Sequence, residues 1–229
     1  MRLCRLLFQS TGRALRSESV RSGCSSLLRY EKRDPELAGG TGVEFHYETK
    51  ELSPSTWGDF ERLFEKHGGV QGGCWCMFYH VARGWRERSR AQNKTEKHTL
   101  VEHRKAHGVL VYHSGRPVGW CQFGPSKELP RIDNMRDYTP SHQGDLWRIT
   151  CFFTDRDYRR RGVARAALNG AIRYMKERGV EVVEAYPVDP KRRHSSDMFW
   201  NGTPDLFDSA GFTKVCKLGR ERWIFKKTL

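Results

Sequence analysis

No apolar run in the 229 residues approaches the roughly 20 that a membrane-spanning helix needs, which excludes stable helical insertion in a bilayer. Acids are also scarce, with 27 Asp and Glu against 41 Lys and Arg, a net charge of +14. So basic a surface expects an anionic partner: nucleic acid, phospholipid or a phosphorylated small molecule. The seven cysteines are odd in number and have no framework spacing, so they read as thiols of a reducing compartment rather than as a disulfide scaffold. There is no internal repeat, no low-complexity tract, no Walker lysine motif and no G-x-G-x-x-G to take a phosphate. Aromatics, at 12% with seven Trp, are too abundant for a disordered chain, and the length suits one domain with a tail.

The tail is residues 1–30. It holds six Arg and six Ser but one acid, Glu18, and Leu3, Leu6, Leu7 and Phe8 share a helical side away from Arg2, Arg5, Arg13 and Arg16. An Arg- and Ser-rich, acid-poor, amphipathic leader describes a mitochondrial transit peptide; the alternative is a disordered basic tail on a cytoplasmic protein. Residues 31–42 are polar and Gly-rich and read as a linker, leaving 43–229 as the domain.

Within that domain Val43, Phe45 and Tyr47 alternate with polar residues and predict a strand. Ser53-Pro54 opens a helix to about Lys66, with Leu63 and Phe64 on its apolar side. Residues 69–83 read as a short aromatic strand or loop. The basic stretch 83–105 reads as a solvated face that includes a helix at about 95–106. Two apolar runs, 108–112 and 118–123, flank Ser114-Gly115 as a hairpin. Residues 125–145 form a long polar loop, of a length more often functional than idle. Leu146–Thr154 is a strand, and 180–188 another. Between them Val163, Ala167, Ala171 and Met175 recur on one face of a helix over 162–178, giving a strand–helix–strand unit of parallel type. A short helix at 203–210 and two closing strands complete the chain.

The junction Arg159-Arg160-Arg161-Gly162-Val163-Ala164 carries chemistry. A helix that starts there leaves several amides without helical partners at the positive end of its dipole, and Gly162 and Ala164 do not obstruct an approaching anion. Arginines flank the opening. Together they make a diphosphate cradle, whose plain alternative is a helix start with a solvated Arg cluster.

This R-x-x-G-x-A, preceded by strand residues and Asp157-Tyr158, resembles the acyl-CoA pyrophosphate loop of the GNAT acyltransferase superfamily; Leu206-Phe207-x-x-x-Gly211-Phe212 resembles that family's last helix and the start of its closing strands. The resemblance spans about residues 43–227. It implies an α/β fold: a mixed, mostly antiparallel sheet splayed between two parallel strands, with helices on both faces. It implies acetyl-CoA as co-substrate and an amine acceptor that attacks the thioester directly. The main chain of Cys151, Phe152, Phe153 and Thr154 would hold the pantetheine arm, and the amides of Arg160 through Ala164 the pyrophosphate, with Arg159 and Arg161 as charge partners. The family often places a Tyr where this chain has Phe207, so Tyr186 is the substitute acid and Glu184 a possible base. That departure keeps a second reading open, a catalytically idle basic module on RNA or ribosomes. Cys74-Trp75-Cys76 resembles segments of other GNAT-like proteins and is expected to shape the acceptor pocket. With strand alternation Cys74, Cys76 and His80 would share a face, but C-x-C is not usual zinc spacing and no metal is expected.

Overall fold

The computed structural model describes residues 45–188 and 199–229; the expectations for 1–30, for the linker and for Val43 lie outside them. The described residues build seven strands: β1 (Glu48–Glu51), β2 (His107–His113), β3 (Arg116–Pro125), β4 (Leu146–Thr154), β5 (Val182–Ala185), β6 (Thr213–Leu218) and β7 (Arg222–Thr228). They form one sheet in the order β1-β2-β3-β4-β5-β7-β6. Only β4 and β5 are parallel, in register from Leu146 opposite Val182 to Ile149 opposite Ala185. Beyond that pair the two strands part, which is the splayed, mixed sheet the sequence predicts.

Both faces are covered. On one lies α3 (Val163–Glu177), whose Val163, Ala167, Ala171 and Met175 pack on Val109, Val111, Cys121 and Ile149. Small residues set its closeness: a Cβ on Gly119 of β3 would stand 2.2 Å from Val163 Cγ1. On the other face α1 (Trp57–Glu65) lays Phe60 and Phe64 on Leu110 and Trp120. The β2 sequence Val-Leu-Val-Tyr is apolar without alternation because its residues feed both cores. A short α4 (Pro204–Asp208) precedes β6.

Three local expectations shift. The first strand begins at Glu48 rather than at Phe45, because its pairing follows β2 from Tyr112 back to Val109 through polar residues. Helix α2 runs Arg90–Glu102, not 95–106, because Ser89 and Gln92 form an N-terminal capping box: Ser89 Oγ accepts from the Gln92 amide and Gln92 Oε1 from the Ser89 amide. Its inner face is Asn93, Lys97 and Val101, so the charged stretch is not solvated throughout; Lys97 is wholly buried. Residues 69–80 form no strand. They are successive turns, with Val70, Gln71, Trp75 and Cys76 at positive φ, a geometry that strand alternation cannot describe.

Candidate functional site

At the end of β4 the chain turns through Asp155. Its carboxylate is buried, accepts from the Asp157 amide at 3.1 Å and pairs with Lys66 at 2.8 Å. Backbone in the left-handed region follows at Arg160 (φ 60°) and Gly162 (φ 84°), the second as N-cap of α3. Among the described residues no backbone carbonyl accepts from the amides of Arg160 through Arg165. A turn with left-handed residues at Arg160 and Gly162 can gather such amides into a concavity suited to an anion, here at the positive end of a 15-residue helix. Gly162 thus precedes the helix instead of lying in its first turn. The loop is braced from behind: the Tyr47 hydroxyl donates to the Arg161 carbonyl at 2.8 Å.

The concavity opens on a cleft of about 960 Å3. Arg156, Arg159, Arg160 and Ala164 line its mouth, and Cys151–Thr154 run along its wall. Two predicted residues turn elsewhere. The Arg161 guanidinium stacks over Phe45 and Tyr158, at 5.0 and 5.7 Å, and Val163 is buried against Gly119. These two can offer the cleft only their amides.

Where β4 leaves β5, Trp200 and Asn201 wedge in. The Phe152 amide donates to Trp200 O at 2.6 Å and Asn201 Nδ2 donates to Thr150 O at 2.7 Å. Strand alternation turns the Phe152 carbonyl and the Thr154 amide toward the same opening, and neither has a backbone partner among the described residues. The inner end is made by Gln122, Cys151, Cys76 and Tyr79. Tyr79 is buried beside Asn201, whose Nδ2 donates to its hydroxyl at 2.7 Å; burial pushes the phenol pKa above its ordinary value. Cys151 Sγ lies 3.2 Å from Cys76 Sγ.

A family model described as acetyltransferase (GNAT) family matches residues 73–199, more than half of the chain. The chain belongs to the GNAT family. No curated protein matches it in sequence. Among solved structures it is similar to the GNAT domain of Streptomyces lividans PAT at 19% identity, covering 80% of this chain and 91% of that one with a TM-score of 0.50. It is also similar to an uncharacterised protein of Bacillus halodurans at 17% identity, covering 88% and 91%, again with a TM-score of 0.50. At those identities the likeness is one of fold.

The GNAT fold puts the two predicted catalytic side chains away from this cleft. Tyr186 and Glu184 are buried and bonded to each other at 2.6 Å. The Glu184 carboxylate also accepts from the Tyr138 hydroxyl at 2.8 Å and the Ser141 amide at 2.5 Å, so its oxygens are committed to tethering the 125–145 loop. Neither residue lines the cleft. Phe207, at the family's frequent Tyr position, is sealed against Phe152, Phe212 and Phe225. Tyr79 is the phenol the cleft does present, and its only sequence signal was membership of the Cys-aromatic patch. Cys74, Cys76 and Phe78 of that patch line the cleft, whereas His80 does not. Its Nδ1–H donates to Glu128 O at 2.8 Å, and its Nε2 accepts from Gln122 and Lys97 at 2.8 and 3.1 Å. Among the described residues no three His, Cys, Asp or Glu are grouped to hold a metal ion.

Proposed function

We propose that this GNAT protein transfers an acetyl group from acetyl-CoA to an amine. The observation that carries the reading is the continuity of one cleft, from a cationic mouth of unpaired amides to the open edge of β4 and on to an inner end lined by Gln122, Tyr79 and two thiols. The diphosphate is held by the amides of Arg160 through Ala164, with the Arg159 and Arg160 guanidiniums beside it. Arg161 serves through its main chain. The pantetheine amides pair with the Phe152 carbonyl and the Thr154 amide, which sets the thioester beside Cys151 and Tyr79. Tyr79, kept protonated by burial, gives its proton to the departing CoA thiolate. The Arg- and Ser-rich leader supports delivery to the mitochondrial matrix: a full-length reporter is expected there, and one lacking residues 1–30 in the cytosol.

Calorimetry with acetyl-CoA, followed by release of CoA thiol across a panel of amines and peptides, tests the activity. Binding at ~100 times its Kd adds roughly 2.7 kcal/mol of stability, so a thermal shift provides a second readout. A folded protein that gives no heat and no shift with acetyl-CoA, yet retains RNA, would refute the reading in favour of an idle basic module.

A further inference from the structure

Behind the inner end of the cleft lies a charge the acyl-CoA reading does not use. Lys97 is wholly buried, and no carboxylate among the described residues contacts it. Its one hydrogen-bond acceptor among the described residues is His80 Nε2, a neutral nitrogen because His80 carries its proton on Nδ1 toward Glu128 O. The Trp120 ring lies 5.6 Å away. A buried ammonium without an anion is costly, by several kcal/mol as a rule. The acids nearest its field are thiols, Cys76 foremost. Burial by itself raises the pKa of Cys76, but the hydrogen bond from Cys151, the charge of Lys97 and the indole N–H of Trp120 outweigh it, and the net direction is down. That indole N–H makes no regular hydrogen bond among the described residues.

Cys76 is also held in place. Trp75 and Cys76 both sit at positive φ, 48° and 50°. Trp75 is fully buried, stacked on Phe64 at 5.7 Å, and the Gln122 side-chain amide donates to the Cys76 carbonyl at 3.0 Å. Its sulfur therefore faces a cleft whose opposite wall is the β4 edge, with a cation behind and the Cys151 thiol at 3.2 Å.

We propose that Cys76 is a nucleophile that carries the acyl group from CoA to the amine. The inference rests on the acyl-CoA reading above and replaces direct attack by two transfers. In the first, the Cys76 thiolate forms a bond to the acyl carbon, the carbon–sulfur bond to CoA breaks, and the CoA thiolate takes the Tyr79 proton. In the second, the amine nitrogen bonds to the same carbon, its proton passes to the Tyr79 phenolate, and Cys76 leaves as the thiolate it began as. One thioester replaces another, so neither half requires an oxidant or a further co-reactant. Lys97 is a positioning residue, the counter-charge of Cys76 before acylation and after release.

The test needs no knowledge of the acceptor. The full chain, with reductant present, is incubated with acetyl-CoA and isotopically labelled free CoA in the absence of any amine. The expected result is passage of label into acetyl-CoA, together with one acetyl adduct after an acid quench, mapped to Cys76 and removed by hydroxylamine. Cys76→Ser and Cys76→Ala should lose both while still binding acetyl-CoA. Should neither variant fold, mapping of the adduct in the parent still decides. Acetyl-CoA binding without exchange or adduct, an adduct on Cys74 or Cys151 alone, or exchange that survives in a folded Cys76 variant would overturn the proposal. Failure to bind acetyl-CoA at all would sink the acyl-CoA reading itself.

Discussion

Replacing Lys97 by methionine removes a buried charge while keeping most of the side-chain volume, and its effect on stability carries a sign that pH exposes. Burial lowers the Lys97 pKa from 10.5 to about 8, against the partial support of Cys76. Below about pH 8 the folded and unfolded chains both hold the proton, so the folded protein bears the whole cost of the buried ammonium. Between about 8 and 10.5 only the unfolded chain holds it, and stability rises with pH. Above that range neither does. At about 1.4 kcal/mol per pH unit, the interval amounts to about 3 kcal/mol. The thiolate of Cys76 adds in the same direction. Its lowered pKa contributes stability above the ordinary thiol value that is lost as pH falls, and losing Lys97 weakens that contribution. Lys97→Met should therefore show its greatest advantage near neutrality, and that advantage should shrink by up to about 3 kcal/mol as pH rises through 8 toward 10. Urea unfolding of parent and variant in parallel, under reductant and from about pH 7.5 upward, measures the difference; His80, whose pKa the Lys97 charge also helps to lower, titrates below that range, and titrations remote from Lys97 cancel. A difference independent of pH, or one that grows as pH rises, would refute the buried ammonium. As a second readout, alkylation of Cys76 should move to higher pH in the variant.

Gly162→Ala should cost about 1–2 kcal/mol, since its φ of 84° is unfavourable to any side chain, and Gly162→Val more; calorimetry with acetyl-CoA should show binding fall further than stability, and an unaltered Kd in a folded variant would misplace the cradle. Arg159→Ala and Arg160→Ala should each weaken acetyl-CoA binding modestly, with a loss that fades at high salt because both guanidiniums are exposed; a Kd series in salt reads this. Phe207→Tyr should not raise turnover, because the hydroxyl would be buried among Phe152, Phe212 and Phe225. A urea melt should instead show a loss of about 1–3 kcal/mol for an unpaired polar group, and a gain in kcat would contradict that placement.

The parts that sequence made legible are those in which period and burial agree. Strand β4, helix α3 and strand β5 were readable because Val163, Ala167, Ala171 and Met175 face one core, and the hairpin because its turn is Ser-Gly. The unpaired amides before α3 were readable because they follow from a helix start alone. Residues 69–80 were not legible. Their path depends on positive φ at Val70, Gln71, Trp75 and Cys76, which tertiary contacts impose and which no composition rule foretells. Lys97 hid for another reason: a buried stripe of Asn93, Lys97 and Val101 has helical spacing but no hydrophobic signal. Tyr186 and Glu184 read as acid and base because they follow the right helix in sequence. What misplaced them was the 125–145 loop, whose Tyr138 and Ser141 bind the Glu184 carboxylate. Tyr79 and Asn201 meet across 122 residues, a distance no local pattern spans.

The wedge of Trp200 and Asn201 also bears on how the protein keeps apart from neighbouring chains. Two parallel strands that separate leave a row of unmet amides and carbonyls, and such an edge invites another chain to add itself as a strand. Here the Phe152 amide and the Thr150 carbonyl are answered from within the fold. Among the described residues the uncovered stretch is reduced to the Phe152 carbonyl and the Thr154 amide, too short to template a neighbouring strand. At this split the sheet therefore offers no free edge long enough for another chain to extend, and the cleft can stay open without inviting a strand.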